Sequence, residues 1–292
     1  MQDALTRPHS GATTAAAASS GPTGASIADR SLRWVAIAAA SALVLFLSIP
    51  LLAMVWRLVR DGKGVSPEAL AILRQAMTLS LLTTAVTMVL VLVTGTPLAY
   101  LLARRTFPGS RLIDTLVDLP IVLPPAVAGI ALLVAFGRNG LIGRWLATMG
   151  ITVGFTTTAV VLAQLFVAAP FFVRAARSGF QQMNQGLEEA AADLGASPAR
   201  TLRTVTLPLA LPSLMAGAVL AWARALGEFG ATIMFAGNFP GVTQTMPLAI
   251  YARFGAGDLT SALVLSLVLL IASVVILFGL RVLSSRTGSA VI

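Results

Sequence analysis

The amino-acid sequence predicts an all-α polytopic membrane protein with six transmembrane helices, and three observations carry that prediction. Apolar residues make up 57% of the 292 positions and charged residues only 11%, for a mean hydropathy of +0.89. The apolar residues gather into repeated runs close to the roughly 20 residues that cross a bilayer as a helix. Each run ends near an arginine, a glycine or a proline, residues that mark helix boundaries. A soluble core fits this composition far less well.

Composition also removes several classes of function. Cysteine is absent and the one histidine, His9, lies in the N-terminal tail, so disulfides, thiol chemistry and metal sites built on His or Cys are excluded. Neither G-x-S-x-G nor H-E-x-x-H occurs, and no catalytic residues are expected. The net charge of +9 raises the question of nucleic acid. Its basic residues are scattered through the connections, however, without the clustered face that binds phosphates, so membrane topology explains them better.

Residues 1–30 are rich in Ala, Ser, Gly and Thr, and "GATTAAAASSGPTGAS" at 11–26 has no large apolar side chain to bury. They read as a disordered tail ahead of a membrane domain at 31–292. The first apolar run, Trp34 to Trp56, follows Arg30 and Arg33 as in a signal peptide. It is too long for one and five more spans follow, so it reads as an uncleaved first span. Within 57–75, Ser66-Pro67-Glu68 ahead of "ALAIL" predicts a short capped helix, lying along the outer interface or helping to dock a partner. The remaining spans fall near 77–103, 116–136, 156–176, 209–236 and 260–283. Six spans put both termini on one side. With that side cytoplasmic, 12 basic residues lie inside and 7 outside, Arg224 standing within a span, which predicts cytoplasmic N- and C-termini in the inner membrane.

The connection between the fourth and fifth spans, about 177–208, is unusually polar. Leu187, Ala190, Ala191 and Leu194 share one face of a short helix by their i, i+3, i+4, i+7 spacing, and Gly195 can end it as a left-handed cap. Ser197 and Pro198 then suit the N-cap and first position of a second helix, whose Leu202, Val205 and Leu209 again share a face. On pattern alone, this knob reads equally well as a solvated amphipathic loop or as a docking element.

Other breaks fall inside the spans. Pro124 and Pro125 remove two backbone donors and kink the third span, exposing carbonyls that line a cavity or are covered by neighbouring helices. Arg224 and Glu228, four apart on one face of the fifth span, sit about 22 and 28 Å beyond Leu209 at 1.5 Å per residue. They suit an outer gate, or an ion pair that only locks packing. Gly227 and Gly230 flank Phe229 and permit a hinge or close helix approach, with Phe229 as a candidate apolar plug. In the following loop Asn238, Thr243, Gln244 and Thr245 offer uncharged donors to an oxyanion or a docking protein, or merely cap the loop.

Glu189-Ala190-Ala191, three residues, Gly195, nine residues, then Val205-Thr206-Leu207-Pro208 matches EAA-x3-G-x9-I-x-LP, with Val in place of Ile. This resembles the EAA motif of ABC-transporter permease subunits. The resemblance implies a type I ABC importer permease fold in which the 177–208 loop is the coupling helix. Glu188, Glu189, Ala190, Ala191, Gly195, Leu207 and Pro208 would then engage a dimer of separate ATPase subunits. "LPIVLPPAVAGIALLVAFGRNGLIG" at 119–143 and "ARALGEFGATIMFAGNFPGVTQTMPLAIY" at 223–251 look like the third span, and the fifth span with its loop, of molybdate permeases. Sulfate and thiosulfate permeases share the Gly-Glu-aromatic-Gly core but differ over "PGVTQTMPLAIY", which favours molybdate or tungstate and leaves sulfate as the alternative. Also implied are a homodimer with its path at the two-fold interface and a periplasmic or lipid-anchored oxyanion-binding protein. The sole lysine, Lys63 in "DGKGVS", builds no G-x-x-x-x-G-K-[ST] loop. ATP and Mg are therefore assigned to the partner ATPase, and this chain is expected to bind no cofactor and to be no enzyme. A secondary transporter would show a repeat with matching broken helices. Neither 119–125 nor 188–208 recurs.

Overall fold

The computed structural model describes residues 27–61, 66–105 and 107–288. The tail expectation at 1–26 and Lys63 fall outside them. The described residues form α1 (Ile27–Asp61), α2 (Pro67–Arg104), α3 (Ser110–Val122), α4 (Pro125–Phe136), α5 (Gly143–Thr148), α6 (Thr157–Gln182), α7 (Gly186–Asp193), α8 (Pro198–Thr201), a π turn (Leu202–Thr206), α9 (Leu207–Leu226), α10 (Gly230–Ala236), α11 (Met246–Gly255) and α12 (Leu259–Gly288). The chain divides into two compact units between Ala53 and Met54, the first containing most of α1. Helix α1 already begins at Ile27, inside the expected tail.

In the second unit α6 is the central helix, packed between α2 and α9 and touching α3 and α10. Lipid tails are as apolar as leucine, so such helices associate through close packing of small residues. Ala99, Ala168, Ala176, Ala218 and Ala221 are buried along these seams around the fully buried Phe172 and Phe180. Tyr100 meets Phe180 edge to face at 5.4 Å. A buried polar clasp joins α2 to α6: Thr87 Oγ1 donates to Gln164 Oε1 at 3.0 Å, and Gln164 Nε2 donates to Thr84 Oγ1 at 3.4 Å.

Five helical stretches among the described residues are long and apolar enough to cross a membrane: Leu32–Asp61, Pro67–Arg104, Thr157–Gln182, Pro198–Leu226 and Leu259–Gly279. The third expected span differs. Rather than a kinked helix over 116–136, there are two helices, α3 and α4, separated at Leu123-Pro124. Pro124 pushes Leu123 out of the helical region, to φ −67° and ψ 132°, and Pro125 opens α4, where a missing N–H costs nothing. The expected fifth span also breaks, into α9 and α10 with Gly227–Phe229 between them. The expected interfacial helix after Ser66 is continuous with the second span. Ser66 does cap it, Oγ accepting from Ala69 N–H at 3.1 Å, but the helix then runs 38 residues because nothing before Arg105 stops it.

Candidate functional site

Two regions concentrate the residues singled out by sequence. The first is the knob between α6 and α9. Helix α7 ends in a Schellman motif: Gly195 adopts φ +82°, its N–H donates to the Ala192 carbonyl at 2.8 Å, and Ala196 N–H reaches the Ala191 carbonyl at 3.0 Å. Ser197 Oγ then accepts from Arg200 N–H at 3.4 Å, and Pro198 starts α8. Pro208 has no N–H for the carbonyl of Thr204, and the ladder just before it widens into the π turn, where Leu207 N–H reaches Leu202. Much of the stripe on α7 is left open by the described residues: Leu194 is 90% exposed and Leu187 47%. Glu189 and Ala190 share that open surface, while Ala191 is half-buried.

Glu188 faces the other way. Its Oε1 lies 3.3 Å from Arg104 Nη2 at the end of α2 and accepts the Thr206 hydroxyl at 2.7 Å. Sequence reading grouped Glu188 with Glu189, whereas the structure turns the first into the bundle and leaves the second outside. Two further ion pairs, also missed, lock α3 to the end of α6: Asp114 with Arg177, and Asp118 bidentate to Arg174 at 2.5 Å. Their signal was available, acids four apart facing arginines three apart.

The second region pairs the two helix breaks. A Cβ on Gly230 would stand 2.5 Å from Pro125 Cβ, and one on Gly129 would stand 2.6 Å from the Ala231 carbonyl oxygen. So α4 and α10 cross backbone to backbone, and Pro125 and Gly230 are brought together, while Gly227 is exposed and a Cβ there would have only Ala223 of the preceding helix near it. Arg224 and Glu228 meet although α9 has ended at Leu226: Arg224 Nη1 is 2.7 Å from Glu228 Oε2. The Glu228 carboxylate is wholly buried and Arg224 31% exposed. Glu228 Oε1 also accepts Ala231 N–H at 2.8 Å, satisfying one of the first donors of α10. Phe229 is half-buried, its ring 5.1 Å from that of Tyr251 on α11.

The loop after α10 is held by the residues expected to offer donors. Asn238 Nδ2 donates to the Leu248 carbonyl at 3.3 Å, Gln244 Nε2 donates to Asn238 Oδ1 at 3.0 Å, and Thr243 Oγ1 accepts from Phe239 N–H at 3.0 Å. Thr245 is buried at the start of α11, where the next N–H, of Met246, donates to Ser80 Oγ at 2.7 Å. The side chains of Asn238, Thr243 and Gln244 are thus engaged within the fold, whereas the buried Thr245 hydroxyl makes no hydrogen bond among the described residues. Among the described residues no cluster of His, Cys, Asp or Glu is arranged to hold a metal.

Comparison with known proteins bears on both regions. A family model described as binding-protein-dependent transport system inner membrane component matches residues 95–289. The chain is 42% identical over 255 residues to a molybdenum transport system permease protein of Mycobacterium bovis, covering 85% of this chain and 92% of that one. It is 48% identical over 184 residues to the protein of the same description from Haemophilus influenzae, covering 60% and 80%. A bacterial alginate ABC transporter, solved in complex with an alginate pentasaccharide-bound periplasmic protein, superimposes with a TM-score of 0.70 at 15% identity, over 89% of this chain and 95% of that chain. At that identity the likeness is one of fold, the type I ABC importer permease fold. The family match runs from the C-terminal part of α2 into α12 and takes in the knob and the paired breaks alike. On that ground the chain belongs to the binding-protein-dependent transport system inner membrane components, a family of multi-pass membrane permeases.

Proposed function

We propose that this chain is the translocating subunit of an ATP-driven importer for molybdate, acting as a homodimer with its termini in the cytoplasm. The observation that carries the reading is the α7–Gly195–α8 knob, whose bare apolar stripe ends on a leucine 90% exposed. A dimer of ATPase subunits, which bind ATP and Mg, covers that stripe. A periplasmic or lipid-anchored binding protein delivers the anion to the opposite side. ATP binding closes the ATPases, draws the knobs together and opens the outer gate; hydrolysis resets the inward-facing state. The Arg224–Glu228 pair suits transit of a dianion, because a cation half-neutralised by its neighbour attracts without trapping. Gly227, Phe229 and the Pro124-Pro125 break lie along that path in this reading. The chain itself performs no catalysis.

The test is ATP-driven uptake into proteoliposomes containing this chain, its ATPase and its binding protein, with labelled molybdate competed by tungstate and by excess sulfate. Block by tungstate but not by sulfate is the expected result. Strong competition by sulfate would move the protein to the sulfate branch, and uptake without the ATPase would overturn the coupling role.

A further inference from the structure

We propose that Arg104, Glu188 and Thr206 form an internal latch that carries movement of the coupling helix into α2 and α9, an inference that rests on the ATPase-coupling reading of the knob. Helix α7 buries none of its residues. Its polar hold on the membrane bundle is concentrated in one atom, Glu188 Oε1, which meets Arg104 Nη2 at 3.3 Å and Thr206 Oγ1 at 2.7 Å. Arg104 is the last residue of α2, and Thr206 is the last of the π turn, immediately ahead of α9. One carboxylate oxygen therefore ties together three elements: the docking helix and the ends of two spans.

The two partners are buried in a way that makes the tie strong. The Arg104 side chain is 6% exposed, and among the described residues its Nε and Nη1 make no hydrogen bond. Its charge is thus offset chiefly by Glu188, and pulling Glu188 away would strand a buried cation. Thr206 is fully buried, and the one other hydrogen-bond acceptor near its hydroxyl among the described residues is the Thr201 carbonyl, at 3.5 Å. When a partner shifts α7, the end of α2 follows its counter-charge and the start of α9 follows its hydroxyl. The π turn, a single widened turn, is the local element able to absorb the change in pitch. Neighbouring residues on a helix point about 100° apart, so Glu189 meets the partner while Glu188 grips the bundle. Arg104 and Thr206 are positioning residues, acting through Glu188.

The experiment uses the assembled complex in proteoliposomes and reads labelled molybdate taken up per ATP hydrolysed, alongside the amount of ATPase that copurifies. Glu188→Gln and the double variant Arg104→Met with Glu188→Leu are compared with the parent. The double variant removes both charges together, so no uncompensated charge is left to disturb folding. The latch predicts that both variants copurify with the ATPase within twofold of the parent while uptake per ATP falls at least tenfold. A double variant coupled within threefold of the parent would show the pair to be only structural and would overturn the latch. Loss of the ATPase from Glu188→Gln would also overturn it, by making Glu188 a docking contact. If the parent chain itself retains no ATPase, the coupling reading fails instead, a result separable from both.

Discussion

Gly195 can be tested by a series in which backbone tolerance and side-chain bulk are separated. Its φ of +82° is a left-handed conformation, and a Cβ added there would meet nothing within 4 Å. In the isolated chain the cost of a substitution is therefore conformational, about 1–2 kcal/mol for an ordinary L-residue and less for Asn, which visits this region readily. A β-branched residue is the worst case. A penalty of that size shifts the population of the formed α7–α8 bend by roughly 5- to 30-fold. The expected order of ATPase retention in a detergent pull-down, and of molybdate uptake, is Gly, then Asn, then Ala, then Val. Membrane insertion, read from the yield of folded chain, should be the same for all four. Asn as damaging as Val would refute the reasoning, since a penalty indifferent to φ means that the partner's surface, not the backbone, demands glycine. Normal uptake by Gly195→Val would remove the knob from docking altogether.

Three further outcomes are expected. Gln164→Leu, which removes the α2–α6 clasp, should cost about 0.6 kcal/mol and at most about 1.7 kcal/mol, read as a lower melting temperature in detergent; a rise would refute the clasp. Gly129→Val should cost about 1–3 kcal/mol and reduce uptake, because its Cβ meets the Ala231 carbonyl oxygen at 2.6 Å, a backbone atom that cannot rotate away. An unchanged melting temperature and uptake would show that α4 and α10 need not cross so closely. Asp258, just ahead of α12, is held below the usual carboxylate range by hydrogen bonds from Ser261, side chain first and backbone second, with Arg253 adding its charge. Its contribution, about 1 kcal/mol for a helix cap, should be complete above pH ~4, the unfolded value, and fade as pH falls through the lower folded value. The melting difference between the parent and Asp258→Ala should accordingly shrink toward pH 3, and a difference that grows on acidification would contradict it.

What the sequence made legible was chemistry that acts over a few residues. The Gly195 bend, the Ser197-Pro198 start and the Ser66 cap are each written in adjacent side chains and each is found in place. The extent of a break was harder to read. Pro124-Pro125 announced a disturbed helix, but whether a proline kinks a helix or ends it depends on what satisfies the freed backbone, and here α10 crosses closely enough to seat a new helix start. Similarly, Gly227 and Gly230 announced a hinge without showing that α9 stops there. The Arg104–Glu188 pair was invisible for another reason: its partners lie 84 positions apart and meet only because the end of α2 comes to the first turn of α7. Asn238 and Thr243 have nearer partners, 10 and 4 positions away, yet their donors and acceptors looked free because the turn of the loop that brings Asn238 to α11 and Thr243 back to Phe239 was not written in the sequence.

The division of the third membrane segment has a consequence for biogenesis. At 12 residues α4 is about 18 Å long, short of the roughly 30 Å hydrocarbon core, so it is a poor insertion signal alone. Its companion α3 carries Asp114 and Asp118, acids whose counter-ions Arg177 and Arg174 lie 63 and 56 residues downstream. At 5–20 residues per second the ribosome needs about 3–12 s to supply them. During that interval Asp114 and Asp118 are without these counter-ions. The ion pairs that lock α3 to α6 can therefore close only after α6 has been made, so this seam of the bundle is completed well after its first half has left the ribosome.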